Sequence, residues 1–137
     1  ERAVEAEILL RPDLALELIS IINNHRVDLS LDYLEGRQNL SDVAEEYAHK
    51  MYTQGFFCHQ DPLDSSEAKE RLENNNINFN SIGENLALAA SINLAHESIL
   101  QSPKHKDTVE SSSYRYIGVG VVEGPLGLIV VQLFTGG

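Results

Sequence analysis

Apolar residues recur at helical spacing in four stretches of this chain and in a strand-like pattern in two more near its end. After Pro12, the residues Leu14, Leu18, Ile21 and Ile22 share one face of a helix predicted over Asp13 to Asn24, which Asn24-His25-Arg26 closes. The run Leu40, Val43, Ala44, Tyr47, Ala48, Met51 and Tyr52 is stronger, keeping the i, i+3, i+4, i+7, i+8 spacing of an amphipathic helix without a break. Asn39 or Ser41 can cap its start, and Gly55 can end it. A third helix is predicted from Asp64, with Glu67 reaching back to the cap, as far as the Asn74-Asn75-Asn76 tract. Only Ala68 and Leu72 are apolar there, so it reads as a surface helix. Ile92, Ala95, Ile99 and Leu100 mark a fourth, short helix that Pro103 brings to an end.

The strand pattern follows. Tyr116 to Val122 and Leu126 to Phe134 are rich in β-branched residues and are separated by Glu123-Gly124-Pro125, a hairpin signal. Helices first and antiparallel strands last indicate an α+β fold, with helices packed on a small sheet. The length of 137 residues and the 42% of hydrophobic residues suit one domain with one real core, and no internal repeat or low-complexity linker divides it.

Charge narrows the partners. A formal net charge of -11 argues against a nucleic-acid backbone or an anionic membrane, and the nearest thing to a basic cluster, Lys104-His105-Lys106, is too short to reverse that field. No run of about 18 apolar residues offers a membrane span. The chain opens at Glu1 without a Met, so a signal or anchor removed ahead of it is expected. A lone Cys58 can make no internal disulfide and is expected as a small buried hydrophobe.

Several familiar chemistries fail on spacing. His96-Glu97 begins like a zinc-protease helix, but Leu100 stands where the second imidazole would share a face. Gly118-Val119-Gly120 lies inside a strand pattern with no helix to follow, so those glycines are expected to permit close packing rather than to cradle a phosphate. No serine has the Gly-x-Ser-x-Gly elbow of a hydrolase. What remains is a dispersed set of polar segments around His59, Glu84 and His105. Taken singly, His59 can cap a loop, Glu84 can stabilise a helix start, and His105 can be merely exposed.

Taken together, in order, these segments resemble the CAP superfamily: the cysteine-rich secretory, antigen 5 and pathogenesis-related 1 domains. Asn24-His25-Arg26 resembles the family's close of the first helix, and Leu40 to Met51 its second helix. His59 matches the first family histidine, Gly83-Glu84-Asn85-Leu86-Ala87 the Gly-Glu-Asn motif, and Ser102-Pro103-Lys104-His105 the bacterial form Ser-Pro-Gly-His. Tyr116 to Gly120 and Gln132-Leu133-Phe134 resemble the strands that follow. The likeness spans nearly the whole chain, with residues 1–12 expected as an N-terminal extension. It implies an α-β-α sandwich, with a three-stranded antiparallel sheet between helical layers and a cleft lined by two histidines and two acids.

His59, Glu84 and His105 carry over directly, and the two imidazoles imply a divalent ion such as zinc. The second acid does not carry over, because its place falls on Ser102; Glu97, on the neighbouring helix, is the candidate substitute. The eukaryotic disulfide framework is also missing, which with Ser-Pro-Lys-His implies a bacterial relative. The function implied is a secreted or envelope-associated, non-enzymatic module that binds a partner protein or a small apolar ligand. The alternative is a metal-assisted hydrolase, in which His59 and His105 hold the ion and Glu84 deprotonates a bound water.

Overall fold

The hairpin at Glu123-Gly124-Pro125 sets the middle of the molecule. In the computed structural model, which describes residues 7–137, strands β4 (Tyr116–Gly124) and β5 (Gly127–Gly136) run antiparallel from a closing pair, Gly124 opposite Gly127. A third long strand, β3 (Ser81–Ala89), pairs antiparallel with the other side of β5, Ser81 facing Gly136 and Ala89 facing Leu128. Flanked on both sides, β5 is buried from Leu128 to Gly136. The three-stranded antiparallel sheet is therefore present, and two-residue strands β1 (Leu9–Leu10) and β2 (Glu35–Gly36) add to the outer edge of β4. Of the expected N-terminal extension, residues 1–6 lie outside the described residues, while Leu9 and Leu10 join the sheet.

Helices cover both faces. On one lie α1 (Pro12–Asp28), α4 (Ile92–Gln101) and α5 (Pro103–Glu110), where Leu18, Ile22, Ala95, Ile99 and Val109 pack against Val119, Val121, Val130 and Phe134. On the other lie α2 (Gln38–Gln54) and α3 (Ala68–Asn74), where Leu40, Ala44, Ala48, Met51 and Leu72 pack against Val122, Ile129, Val131 and Leu133. Alternation along β5 feeds both cores: Val130 and Phe134 go one way, Ile129, Val131 and Leu133 the other. Each such fully buried side chain contributes roughly 1.5–3 kcal/mol. As the sequence implies, Gly118 and Gly120 let α2 approach β4, for a Cβ on either would sit 2.3 Å from Leu40 or 2.2 Å from Glu45 backbone.

Five local details differ from expectation. Helix α1 continues past Asn24 to Asp28, because Arg26 is buried and its guanidinium donates to the carbonyls of Asp32, Val109 and Ser111. Helix α3 starts at Ala68 rather than Asp64. Asp64 instead accepts the Ser66 N–H in a turn, and the reciprocal cap falls to Glu67, whose N–H donates to Glu70 Oε1 at 2.8 Å. Pro103 does end α4, but it also opens α5, as the first residue of a helix where its missing N–H costs nothing. Glu84 stands within strand β3, not at a helix start. At α2, Ser41 does not cap; its hydroxyl accepts the Val119 N–H, whereas Gly55 closes the helix in the left-handed conformation at φ 74°.

Candidate functional site

The loop that carries His59 is fixed by Tyr47, one of the buried residues of α2. Its phenol oxygen lies 2.6 Å from the Cys58 carbonyl and 3.1 Å from that of His59, so its single proton is shared between them. Burial raises the phenol's pKa above its ordinary value, so it stays a donor at any physiological pH. Asp61 turns the chain onward, accepting the Leu63 N–H at 2.8 Å, and its own N–H donates to Ser66. Cys58 is exposed, not buried as expected, and its thiol donates to the Gln60 carbonyl at 2.9 Å.

Glu84 projects from β3 onto the α3 side of the sheet with a side chain only 4% exposed. One carboxylate oxygen lies 2.8 Å from His59 Nδ1, and the other accepts Arg71 Nη2 at 2.8 Å. A carboxylate only accepts, so Nδ1 of His59 carries the proton and Nε2 is the nitrogen left for a ligand. Arg71 also donates to the carbonyls of Ser66 and His59, and its guanidinium lies 3.5 Å from the centre of the Tyr47 ring. This arginine ties loop, helix and strand together, yet sequence reasoning passed over it. Its place beside Leu72 on a short polar helix does not by itself distinguish it from a solvated residue.

On the opposite face of the same strand, Asn85 Nδ2 lies 3.2 Å from Gln132 Oε1 and 3.3 Å from the His105 carbonyl. Both amides are fully buried. His105 rides on α5, and its imidazole titrates below its ordinary value, chiefly through burial and then through His59 and Lys104. It is therefore neutral at pH 7 and keeps a lone pair.

A cleft of about 430 Å3 brings His59, Glu84 and His105 together, with Ile82, Gly83, Asn85, Lys104 and Thr108 among its other walls. Ser102 and Glu97 are not in it. Ser102 joins α4 to α5 through its backbone, its N–H donating to Ile99 and its carbonyl accepting Lys106, while Glu97 is exposed on α4 beside His96. A larger hollow of about 550 Å3 lies beside Arg26, Asp32 and Tyr33, away from these groups. Among the described residues no group of three or more His, Cys, Asp or Glu side chains is arranged to hold a metal ion. Glu84 is already engaged by His59 and Arg71, and among the described residues the two imidazoles of the cleft are the donors without such a partner on Nε2 of His59 or on His105.

Comparison with known proteins places this arrangement. Residues 19–134 match the family model described as "CAP: Cysteine-rich secretory protein family". The chain is 31% identical over 106 residues to the "Uncharacterized membrane protein YlbC" of Bacillus subtilis (strain 168), a match covering 77% of this chain but 30% of that relative's length. Among solved structures, an outer surface protein from Borrelia burgdorferi is similar with a TM-score of 0.87 at 26% identity, over 96% of this chain and 98% of that one. An extracellular protein containing a SCP domain from Bacillus anthracis str. Ames shares the fold with a TM-score of 0.81 at 23% identity, over 92% of this chain and 41% of that one. Among the described residues no helix is long and apolar enough to cross a membrane.

Proposed function

Residues 19–134 make this chain a member of the CAP, or cysteine-rich secretory protein, family, and from that premise we propose that it is a secreted or envelope-associated binding module. Its cleft takes a divalent ion or a small ligand and carries out no reaction of its own. The location is supported by the names of two relatives, an outer surface protein and a membrane protein.

The observation that carries the binding reading is the state of Glu84. A general base must present a carboxylate oxygen to a water, and here the side chain is only 4% exposed and both oxygens already accept a hydrogen bond, one from His59 and one from Arg71. The same pairing favours binding, since it orients His59 with Nε2 available, and burial keeps His105 in the same cleft neutral. An ion such as zinc would be held by His59 and His105, with Glu84 as the outer partner that fixes the His59 tautomer. When bound, that ion supplies a Lewis acid or an anchoring charge for an anionic ligand.

Calorimetric titration of zinc tests this directly. Wild type is expected to bind, and a His59→Ala, His105→Ala double variant to lose at least about a hundredfold in affinity; Glu84→Gln, which loosens only the outer partner, should lose about tenfold. A wild type that binds no more tightly than the double variant refutes the metal site. Turnover of an ester or peptide panel by the zinc-loaded protein would refute the non-enzymatic reading.

A further inference from the structure

Backbone hydrogen bonding shows which edge of the sheet is closed and which is open. On β4, the carbonyls of Ile117 and Val121 and the N–H of Val119 turn outward, where they meet the N–H groups of Arg37 and Arg11 and the hydroxyl of Ser41. Strand register carries this alternation across β5. Gln132 and Val130 face Val119 and Val121 on one side and Asn85 and Ala87 on the other, so Asn85 and Ala87 bond β5. The intervening residues Ile82, Glu84, Leu86 and Leu88 therefore direct their N–H and C=O groups away from the sheet. Tyr114 donates to the Ile82 carbonyl at 3.2 Å, but no described residue bonds the backbone of Glu84, Leu86 or Leu88. An open edge of this kind is a template for another strand.

The cleft lies on that edge. Glu84 and Asn85 point to opposite faces of the sheet, and a cavity that touches both must open at the strand's side. Lys69 and His59 wall it on one face, Lys104 and His105 on the other. The charged groups there are Lys69 and Lys104 against Glu67, with Glu84 already paired with Arg71, which leaves a locally positive spot in a chain of net charge -11. That net charge opposes pairing between two copies of this chain.

We propose that β3 takes up an extended acidic peptide segment as an added strand along Glu84–Leu88, with a carboxylate of the peptide seated in the cleft between Lys69 and Lys104. The peptide's backbone supplies affinity by pairing with the three free N–H and C=O sets, and its acidic side chain supplies selectivity. This deepens the binding reading above and rests on it.

Selection of a phage-displayed library of linear dodecapeptides on the intact chain supplies synthetic probes, and amide hydrogen exchange locates them. Enriched peptides are expected to be acidic, to alternate β-branched residues, and to slow exchange of the Glu84, Leu86 and Leu88 amides at least tenfold. Leu88→Pro removes one outward N–H and no ladder bond, and should weaken binding about tenfold. Lys104→Glu, an exposed change on α5 that leaves the strand intact, should do the same for acidic peptides. Peptides that bind while those three amides exchange at the free rate, an absence of binders, or enrichment of basic sequences would each overturn the proposal. Slowing that follows protein concentration without peptide would assign the edge to a second copy instead. Zinc binding without strand addition removes this inference alone; peptide uptake by a wild type that binds zinc no more tightly than the His59→Ala, His105→Ala variant removes the metal site alone.

Discussion

Arg71 is where the cleft is most vulnerable to a single change. Its side chain is 11% exposed and its partner Glu84 only 4%, so replacing it strands a carboxylate in a site that water barely reaches. Breaking a buried pair from one side costs about 3–5 kcal/mol, and Arg71→Met is expected to fall in that range by urea denaturation. Glu84→Gln in the same background should recover part of the loss, because it removes the unpaired charge. Arg71→Lys should not restore the fold fully, since an ammonium cannot make the forked contacts to Ser66, His59 and Glu84 at once. At this scale the sequence was legible where a motif carries the residue: His59, Glu84 and His105 do meet. It was not legible for Arg71, because a charged residue on a short polar helix reads as solvated until its neighbours are known. Counting along the chain placed Ser102 at the second acid's position, but the α4–α5 junction uses Ser102 for its backbone, and Glu97, the candidate substitute, lies on the solvent side of α4.

Among the elements, those with strong apolar periodicity could be read directly, α2 above all, whose buried residues Leu40, Val43, Ala44, Tyr47, Ala48 and Met51 are the ones the spacing selects. Strand β3 could not be read from its residues. Gly83, Asn85 and Ala87 are weak strand formers, and the segment is extended because β5 offers a full ladder for it. Helix α5 was hidden for a similar reason: Val109 is its only buried residue, and Arg26 holds its end by bonding the carbonyls of Val109 and Ser111. The packing of α2 on β4 makes a sharper demand than either. A Cβ at Gly120 would meet the backbone nitrogen of Glu45 at 2.2 Å, and backbone cannot swing aside as a side chain can. Gly120→Ala is therefore expected to destabilise by about 3 kcal/mol, at the upper end for overpacking. Gly36→Ala, whose nearest neighbour would be Ile19 Cδ1 at 3.9 Å, should be close to neutral in the same urea titration. Equal midpoints for the two variants would refute the close approach of helix and strand.

For the molecule as a whole, acid acts in two opposing ways. Lowering pH reduces the net charge of -11 toward zero, which relieves self-repulsion and favours the folded state. Between α1, α4 and α5, however, His25 and His96 stack edge to face at 5.7 Å, with His25 Nε2 2.7 Å from Glu110. Burial, and then His25, holds the His96 pKa below its ordinary 6.5, against a smaller opposing pull from Glu97. Between the native pKa and 6.5 the unfolded chain binds this proton more readily than the folded one. Stability contributed there is full above 6.5 and is lost as pH falls, by up to about 1.4 kcal/mol for each pH unit of that window. His105, also depressed by burial, acts with the same sign. Glu110, held below its ordinary range by His25 and Lys106, loses its contribution only in more acid solution. Between pH 7.5 and 5.5 the histidines should therefore outweigh the relief of repulsion, and urea midpoints should fall. His96→Gln separates the two effects, since it removes the titrating ring and leaves the net charge at pH 7 unchanged. Its midpoint should fall less over that interval than that of wild type, and parallel curves for the two proteins would show that the buried imidazole does not govern the acid response.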